Sequence, residues 1–336
     1  MMRRHLVRLA VVALALSGGP GHAQSLADNN AAMLQQMQQA RGLSDAAISR
    51  INDIMAGSSV IGQGNPSITR HPMTPEQAAA RIGGSGESVY RNAEFEAVCG
   101  APYMAPLYDP ATGSASDASV CIDMFEYPNV PLAYPVVWVR ADEAAKLCAA
   151  EGKRMADAHE WEGASAGALL PAEYRFDLAR GLGLSAAAGR IRKAHNAKWA
   201  GSAGQFSIGE WRAGVCATGS AKSPGCNGGS FRGCGSNTYP AGSFPACKSP
   251  LGVYDLDGNA AEHMNLPLAE DQMASRGSTK LGVTEMKGSW FIWDTIRAHK
   301  HWSRWRAPFW HGTRVMATNS HHNYHLGFRC VKDLAD

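Results

Sequence analysis

The sequence has no apolar run long enough to cross a membrane. The apolar stretch near its start, Leu9 to Leu16, is far shorter than the roughly 20 residues that a spanning helix needs. Arginines precede this stretch, and the small-residue segment Gly21-His22-Ala23 follows it, which is the order of a secretory signal peptide. We therefore expect residues 1–23 to be a cleaved signal peptide, and the mature protein to be periplasmic or secreted without a membrane span.

The chain also lacks a net charge once that segment is removed. Its 32 basic residues include Arg3, Arg4 and Arg8, whereas no Asp or Glu precedes Asp28. From Gln24 onward, 29 basic side chains therefore stand against 29 acidic ones. A balanced charge gives no electrostatic footprint for nucleic acid or for anionic membrane, so we expect neither as a partner.

No CxxC motif is present, which argues against a zinc ribbon. The eight cysteines all follow the expected signal peptide: Cys99, Cys121, Cys148, Cys216, Cys226, Cys234, Cys247 and Cys330. An even number of cysteines in an exported chain predicts four disulfides. The pair closest in sequence, Cys226 and Cys234, is too widely spaced for one half of a zinc ribbon, so zinc bound through cysteine is disfavoured.

Several catalytic motifs are absent as well. The sequence contains no GxSxG, no HExxH, no GxxxxGK[ST] and no GxGxxG between a strand and a helix. These absences give no support to an α/β-hydrolase, a zinc protease of the HExxH type, a P-loop enzyme or a dinucleotide-binding domain.

Helices are predicted in the N-terminal part. Residues 25–57 have two short amphipathic patterns, the second with Ser44 as N-cap, and Thr74-Pro75-Glu76-Gln77 is a capping box for a third helix. Residues 58–73 are rich in Gly, Ser, Pro and Asn and are expected to form a linker. We therefore separate a helical extension, residues 24–86, from a domain at 87–336.

The domain is rich in Gly, Pro, Trp and Cys and has one clear helix, Ala141 to Glu151, which opens on acidic residues. Residues 201–244 are almost entirely small and polar. Because four cysteines lie in or beside that segment, we expect a long loop held by disulfides rather than a flexible linker.

Three sequence blocks resemble the formylglycine-generating enzyme family, also called sulfatase-modifying factors. Residues 134–162 include Glu151-Gly152-Lys153-Arg154-Met155, similar to the family's GKRLPTEAEWE signature. Residues 251–263 are similar to its GLYDMxGNVWEW turn. Residues 287–290 and 326–330 are similar to its RGGSW and GFRC segments. The blocks occur in the family's order across the domain.

The resemblance implies an α+β domain with the C-type-lectin-like fold of this family, rich in irregular structure. It also implies that Cys148 of the first helix pairs with Cys330 of GFRC. Cys99 with Cys121 is the simplest further pair, and the remaining four cysteines allow three pairings that the sequence does not rank.

The family's copper chemistry is not expected here. Its enzymes oxidise a substrate cysteine with Cu(I) held by two cysteines that follow RGGSW, and soft thiolates suit that ion. In this chain Ser289 matches a family active-site serine, but Ile292 stands where the first cysteine would be. The second position falls near Arg297 or Trp302, and no cysteine occurs between Cys247 and Cys330. Copper or iron is therefore not an expected cofactor.

A structural calcium ion is implied at the second block. The family's ligand positions match the side chains of Asp255 and Glu262 and the carbonyl groups of Gly258 and Ala260. The alternative is an ordinary turn formed by Asp and Asn. A second family calcium site would begin at Asn196, although no downstream carboxylate is evident.

The segment from Trp290 to His325 concentrates histidine, tryptophan and arginine. His299 and His301 would share one face of an extended strand and could form half of a transition-metal site, but no carboxylate accompanies them at suitable spacing. A groove for a protein, peptide or small ligand is favoured, because Trp and Arg dominate binding surfaces. Its candidate residues are Trp290, Trp293, Arg297, Trp302, Arg304, Trp305, Arg306 and Arg314. Glu160 and Glu162 are interpreted as structural.

The sequence favours an exported binding or accessory protein that has lost the copper thiolates. One alternative is a diverged oxidase that uses a histidine-bound metal or no metal. Another is an immunity or ligand-display protein. The N-terminal helices could pack on the domain or on a partner.

Overall fold

The computed structural model describes residues 25–297, 302–306 and 313–334. In that part of the chain the helices are α1 Leu26–Arg41, α2 Asp45–Gly57, α3 Pro75–Ile82, α4 Gly86–Tyr90, α5 Ala93–Cys99, α6 Ala141–Ala150, α7 Ala158–Ala166, α8 Leu184–Lys198 and α9 Phe231–Cys234. The strands are β1 Met104–Leu107, β2 Val120–Asp123, β3 Arg154–Met155, β4 Ala261–Leu266, β5 Val283–Lys287, β6 Leu326–Gly327 and β7 Cys330–Asp333. None of the described helices is long and apolar enough to cross a bilayer.

Two small sheets organise the α+β domain. The first is antiparallel with strand order β1-β2-β7-β3, and the second has the order β5-β4-β6 with β6 parallel to β4. Strands β4 and β5 are buried along their whole length. Helix α7 packs against β4, and the buried Trp161 on this helix donates a hydrogen bond from Nε1 to Glu262 on the strand. This packing fixes α7 over the second sheet.

Local sequence signals set the helix ends. Ser44 caps α2, and Thr74 with Gln77 forms the predicted capping box of α3, which ends at Gly83 in the left-handed conformation. The predicted helix at 141–151 is α6, one residue shorter. These local predictions are confirmed. The sequence is enough to make them because capping depends on side chains only a few residues apart.

The N-terminal helices pack on the domain, a point that the sequence left open. Met33, Met37 and Ile51 are buried in one apolar cluster with residues of α6. Arg41 donates to Pro128 O over 2.7 Å and forms an ion pair with Glu151, where both side chains are almost fully buried. The extension is therefore part of the folded structure.

The segment expected to be a linker is also packed. Residues 60–65 are all buried, and Gly62 pairs with Val137 in a short β-bridge. A Cβ atom on Gly62 would lie 2.4 Å from the Phe231 ring, so glycine permits the close approach at this position. The Gly-rich composition of residues 58–73 thus reflects tight packing as well as turns, and the linker interpretation is wrong for this part.

Four disulfides are present and no described cysteine is free. Cys148–Cys330 and Cys99–Cys121 match the predictions, and the open pairings resolve as Cys216–Cys247 and Cys226–Cys234. Within the long loop at 201–244, residues 234–244 are buried. This last part of the loop is thus packed into the domain, and the disulfides Cys216–Cys247 and Cys226–Cys234 hold the segment, as expected.

Candidate functional site

An open cleft of about 640 Å³ lies between α7, α8 and the segment 302–306. Its volume is within the range of small-molecule sites in proteins. Apolar and aromatic walls come from Leu170, Tyr174, Ile191 and Trp199. The polar residues of the lining are His159, Glu162, Glu173, Arg175, His195, Lys198, Arg304 and Arg306.

Glu162 is the buried carboxylate of this cleft. It accepts from Arg306 Nε over 2.8 Å and from Lys287 Nζ over 3.2 Å, and all three side chains are about 1% exposed. Burial alone would raise the pKa of Glu162, but Arg306 and Lys287 lower it well below the usual value. Glu162 is therefore ionised and holds two cations beneath the cleft.

Arg306 is fixed through both its backbone and its side chain. Asn196 on α8 accepts from Arg306 N over 2.9 Å and donates to Arg306 O over 2.6 Å. The guanidinium lies 4.9 Å from the centre of the Tyr174 ring. Its Nη1 atom is buried and has no hydrogen-bond partner among the described residues. Buried donors of this kind are rare, because each one left unsatisfied costs free energy.

Arg304 is the second cation of the cleft and has no carboxylate partner within the described parts of the chain. Its side chain packs 4.5 Å from the Trp199 ring, and Nη2 donates to Ala168 O over 2.8 Å. Arg304 is only 9% exposed, and this burial lowers the pKa of its guanidinium. A guanidinium buried to this extent normally has a counter-ion.

His195 supports the same segment. Its Nε2 lies 2.7 Å from Arg304 O and 3.5 Å from Glu162 Oε2. Burial lowers the pKa of His195 to about 4, so the ring is neutral at pH 7 and donates to the carbonyl group. Ser165 and Ser303 share a hydrogen bond of 2.7 Å between their hydroxyl groups, which ties 302–306 to α7.

The predicted ligand-binding residues separate into two groups. Arg304 and Arg306 line the cleft, whereas Trp290 and Trp293 are buried in an apolar cluster around Cys216–Cys247. Trp302 and Trp305 contact each other edge to face at 5.4 Å, while Arg297 is exposed and Arg314 lies beside a different hollow. The residues predicted for one Trp and Arg groove therefore do not all lie at one surface, because Trp290 and Trp293 are buried in the core, and their role in binding stays a prediction. His299 and His301 lie outside the described residues.

The family's catalytic position lies within that apolar cluster. Ser289 is fully buried, and its Oγ has no hydrogen-bond partner among the described residues. Ile292 is 1% exposed and packs with aromatic neighbours. Every cysteine of the chain is in a disulfide, so none supplies a thiolate to Cu(I).

The turn predicted to hold calcium fits that ion only in part. Asp255 is buried, and its Oδ1 has no partner in the described chain, as a metal ligand would require. Glu262, however, is paired with Arg329 at 2.6 Å and also accepts from Trp161 Nε1. A calcium ion here would share the Glu262 carboxylate with Arg329 and Trp161. The Asn196 side chain, proposed for a second site, is used by the backbone of Arg306. Both calcium sites stay predictions.

Sequence reasoning missed several residues of the cleft. Glu162 was treated as structural, and Tyr174, His195 and Trp199 were not singled out as site residues, nor was Lys287 beneath the cleft. Arg306 is 144 positions from Glu162 and 110 from Asn196, so no local pattern connects them. The family-like block containing Glu162 was the one available signal, and it indicated fold rather than binding.

Comparisons with known proteins agree with the three sequence blocks. The model of the sulfatase-modifying factor enzyme 1-like domain matches residues 94–334. No curated protein matches the chain. Among solved structures, PvdO from Pseudomonas aeruginosa is similar at 18% identity and a TM-score of 0.30, over 69% of this chain and 91% of that chain. That score is too low to support an argument. The family match spans most of the sequence, and the chain therefore belongs to the sulfatase-modifying factor enzyme 1-like family.

Proposed function

We propose that this chain is an exported binding or accessory protein of its family, with the C-type-lectin-like fold that the family resemblance implies. Its ligand would occupy the cleft between α7, α8 and residues 302–306. The observation that carries this proposal is an open 640 Å³ cleft with two buried guanidinium groups. Nη1 of Arg306 has no hydrogen-bond partner among the described residues, and Arg304 has no carboxylate partner there. Such groups are a cost to folding unless a ligand or water meets them.

The cysteine pairing supports a binding role over the family's oxidation chemistry. A copper-dependent oxidase of this family needs two thiolates, and all eight cysteines here are paired. The apolar residues around Ile292 leave that position without a soft ligand. The cleft residues, by contrast, combine charged, aromatic and apolar side chains, as small-molecule sites do.

A pair of variants on α8 tests the cleft. Ala194 lines it, whereas Ala197 is exposed on the same helix and is not among the lining residues. Ala194→Trp should fill the cleft, and Ala197→Trp is the matched control. Compounds and peptides that raise the unfolding midpoint of the wild type should also raise that of A197W, and should have no effect on A194W.

The expected size of the effect follows from linkage. A ligand at about 100 times its Kd stabilises the folded state by about 2.7 kcal/mol. That corresponds to a rise of on the order of 5 °C in the midpoint. Ligands that stabilise A194W as strongly as the wild type would place binding elsewhere and refute the proposal.

The proposal retains a calcium ion at the Asp255 turn, as the resemblance implies. Its support is the buried, unpartnered Oδ1 of Asp255. Elemental analysis of the exported protein should then give about one equivalent of calcium, and removal by a chelator should lower the unfolding midpoint. If the protein contains no calcium and a chelator does not change its unfolding midpoint, the calcium site is refuted. Arg329 is then the counter-ion of Glu262.

Mass spectrometry of the same sample should place the mature N-terminus near Gln24.

A further inference from the structure

The charges beneath the cleft do not balance. Glu162 is matched by both Arg306 and Lys287, and Glu285 forms its own buried pair with Arg192 at 2.7 Å. Arg304 adds a further buried cation, whose hydrogen bond among the described residues goes to the carbonyl group of Ala168 and not to a carboxylate. Four basic side chains, Arg192, Lys287, Arg304 and Arg306, therefore stand against the two carboxylates Glu162 and Glu285, and the surplus is positive.

The surplus lies in buried groups, where charge has its largest effect. Arg304 is 9% exposed and Arg306 is 1% exposed. Rim charges such as Lys198 and Arg175 already have carboxylate partners, Glu173 and Asp177, and these exposed pairs are screened by solvent. The unmatched charge is thus a property of the inner part of the cleft.

We propose that the cleft recognises the carboxylate of a small organic acid, with Arg304 as its counter-ion and the side chains of Trp199 and Tyr174 beside its apolar body. This inference rests on the function proposed above, since it names the ligand class of the same cleft. Arginine suits the role because its planar guanidinium presents several N–H donors to a carboxylate.

The placement of Arg304 favours such a contact. Trp199 lies 4.5 Å from the guanidinium and holds it by a cation–π interaction. Among the described residues only Nη2 of Arg304 has an acceptor, Ala168 O, so the remaining N–H groups are available to a ligand. The carbonyl group of Arg304 is in turn held by His195. The residue is therefore positioned before any ligand arrives.

Apolar surface beside these donors indicates that the acid carries a hydrophobic body. Leu170, Ile191 and the two aromatic rings contribute to the walls. A free inorganic anion would use the guanidinium but none of this surface. Benzoate is accordingly a better probe than sulfate, and benzamide is its matched neutral counterpart.

The test compares benzoate with benzamide by calorimetric titration of the mature protein at constant ionic strength. The wild type should bind benzoate at least about tenfold more tightly, because the hydrogen bonds of Arg304 to a carboxylate are charge-assisted and those to a neutral amide are not. Arg304→Gln should remove this preference, and Arg304→Lys should restore part of it. Sulfate titrated in place of benzoate should bind more weakly.

The outcomes separate this inference from the proposed function. If A194W abolishes binding of both compounds but the wild type binds them equally, the cleft is the site and the carboxylate inference is wrong. No benzoate binding by the wild type, or a preference that persists in a folded R304Q, also overturns it. If R304Q does not fold, the inference is judged by the preference of the wild type for benzoate over benzamide and by the partial preference expected of R304K. Tighter binding of sulfate would replace the organic acid with an inorganic oxyanion.

Discussion

Replacing Arg41 by methionine should release the N-terminal helices from the domain. Arg41 is the last residue of α1, and its guanidinium contacts Glu151 and Pro128 O in a buried position. The side chains of Arg41 and Glu151 are 3% and 0% exposed. Methionine keeps the apolar stem but leaves the carboxylate without this partner.

The magnitude follows from the cost of an unpaired buried charge. Removing one partner of a buried ion pair destabilises proteins by about 3–5 kcal/mol. Lys153 lies 3.4 Å from Glu151 and compensates in part, so we expect the lower end, about 3 kcal/mol. The unfolding midpoint should fall by on the order of 5 °C. The double variant R41M/E151Q should recover part of the loss, since it removes both charges.

The effect should depend on pH. Burial raises the pKa of Glu151, but Arg41 and Lys153 outweigh it and lower the pKa below the usual value of 4.5. A lowered carboxyl pKa contributes stability that is present above pH 4.5 and is lost as the pH falls through the folded value. The difference between wild type and R41M should therefore shrink in acid.

Denaturant unfolding and hydrogen exchange measure the two consequences together. Amides of α1 and α2 should exchange faster in R41M than in the wild type, and this increase should be larger than that of the amides of β4. Arg50 offers a matched control on α2, because its exposed side chain makes one hydrogen bond to Ala150 O. Loss of less than about 1 kcal/mol in R41M, with unchanged exchange in α1, would refute the reasoning.

Two further variants test the site and the fold. Asn196→Ala should cost about 1–3 kcal/mol of stability and weaken benzoate binding, because it removes both hydrogen bonds to the backbone of Arg306. Asn227→Ala changes an exposed side chain and should have neither effect. Equal effects of the two variants would contradict the role of Asn196 in holding Arg306. Removing Cys148–Cys330, which closes a separation of 182 residues, should cost about 5 kcal/mol, against about 2.5 kcal/mol for Cys226–Cys234 with a separation of 8. Chemical denaturation of both double-alanine variants measures this order, and the reverse order would contradict the loop-entropy account.

Short-range features were predictable from the sequence. Ser44 and Thr74 cap their helices through residues three positions away, so a few letters suffice to place α2 and α3. The Cys148–Cys330 pair could be predicted for another reason, because the family blocks around both cysteines imply it without any geometry. Cys216–Cys247 and Cys226–Cys234 had no such signal, and only the folded loop distinguishes them from the other pairings.

Long-range electrostatics could not be predicted. Arg41 pairs with Glu151 across 110 positions, and nothing near either residue shows that the N-terminal helices pack on the domain. The cleft could not be predicted for the same reason, because Glu162, Asn196 and Arg306 meet only after α7, α8 and residues 302–306 have packed. Aromatic residues caused the opposite error: Trp290 and Trp293 resemble a binding surface in sequence, yet they are buried in the core.

Co-crystallisation of the mature protein with its strongest stabilising ligand tests the central claim most directly. The account predicts electron density between α7, α8 and residues 302–306, with the anionic group of the ligand within hydrogen-bond distance of Arg304. Density bound elsewhere, such as beside Ser289 and Trp290, with the cleft holding only water, would contradict it.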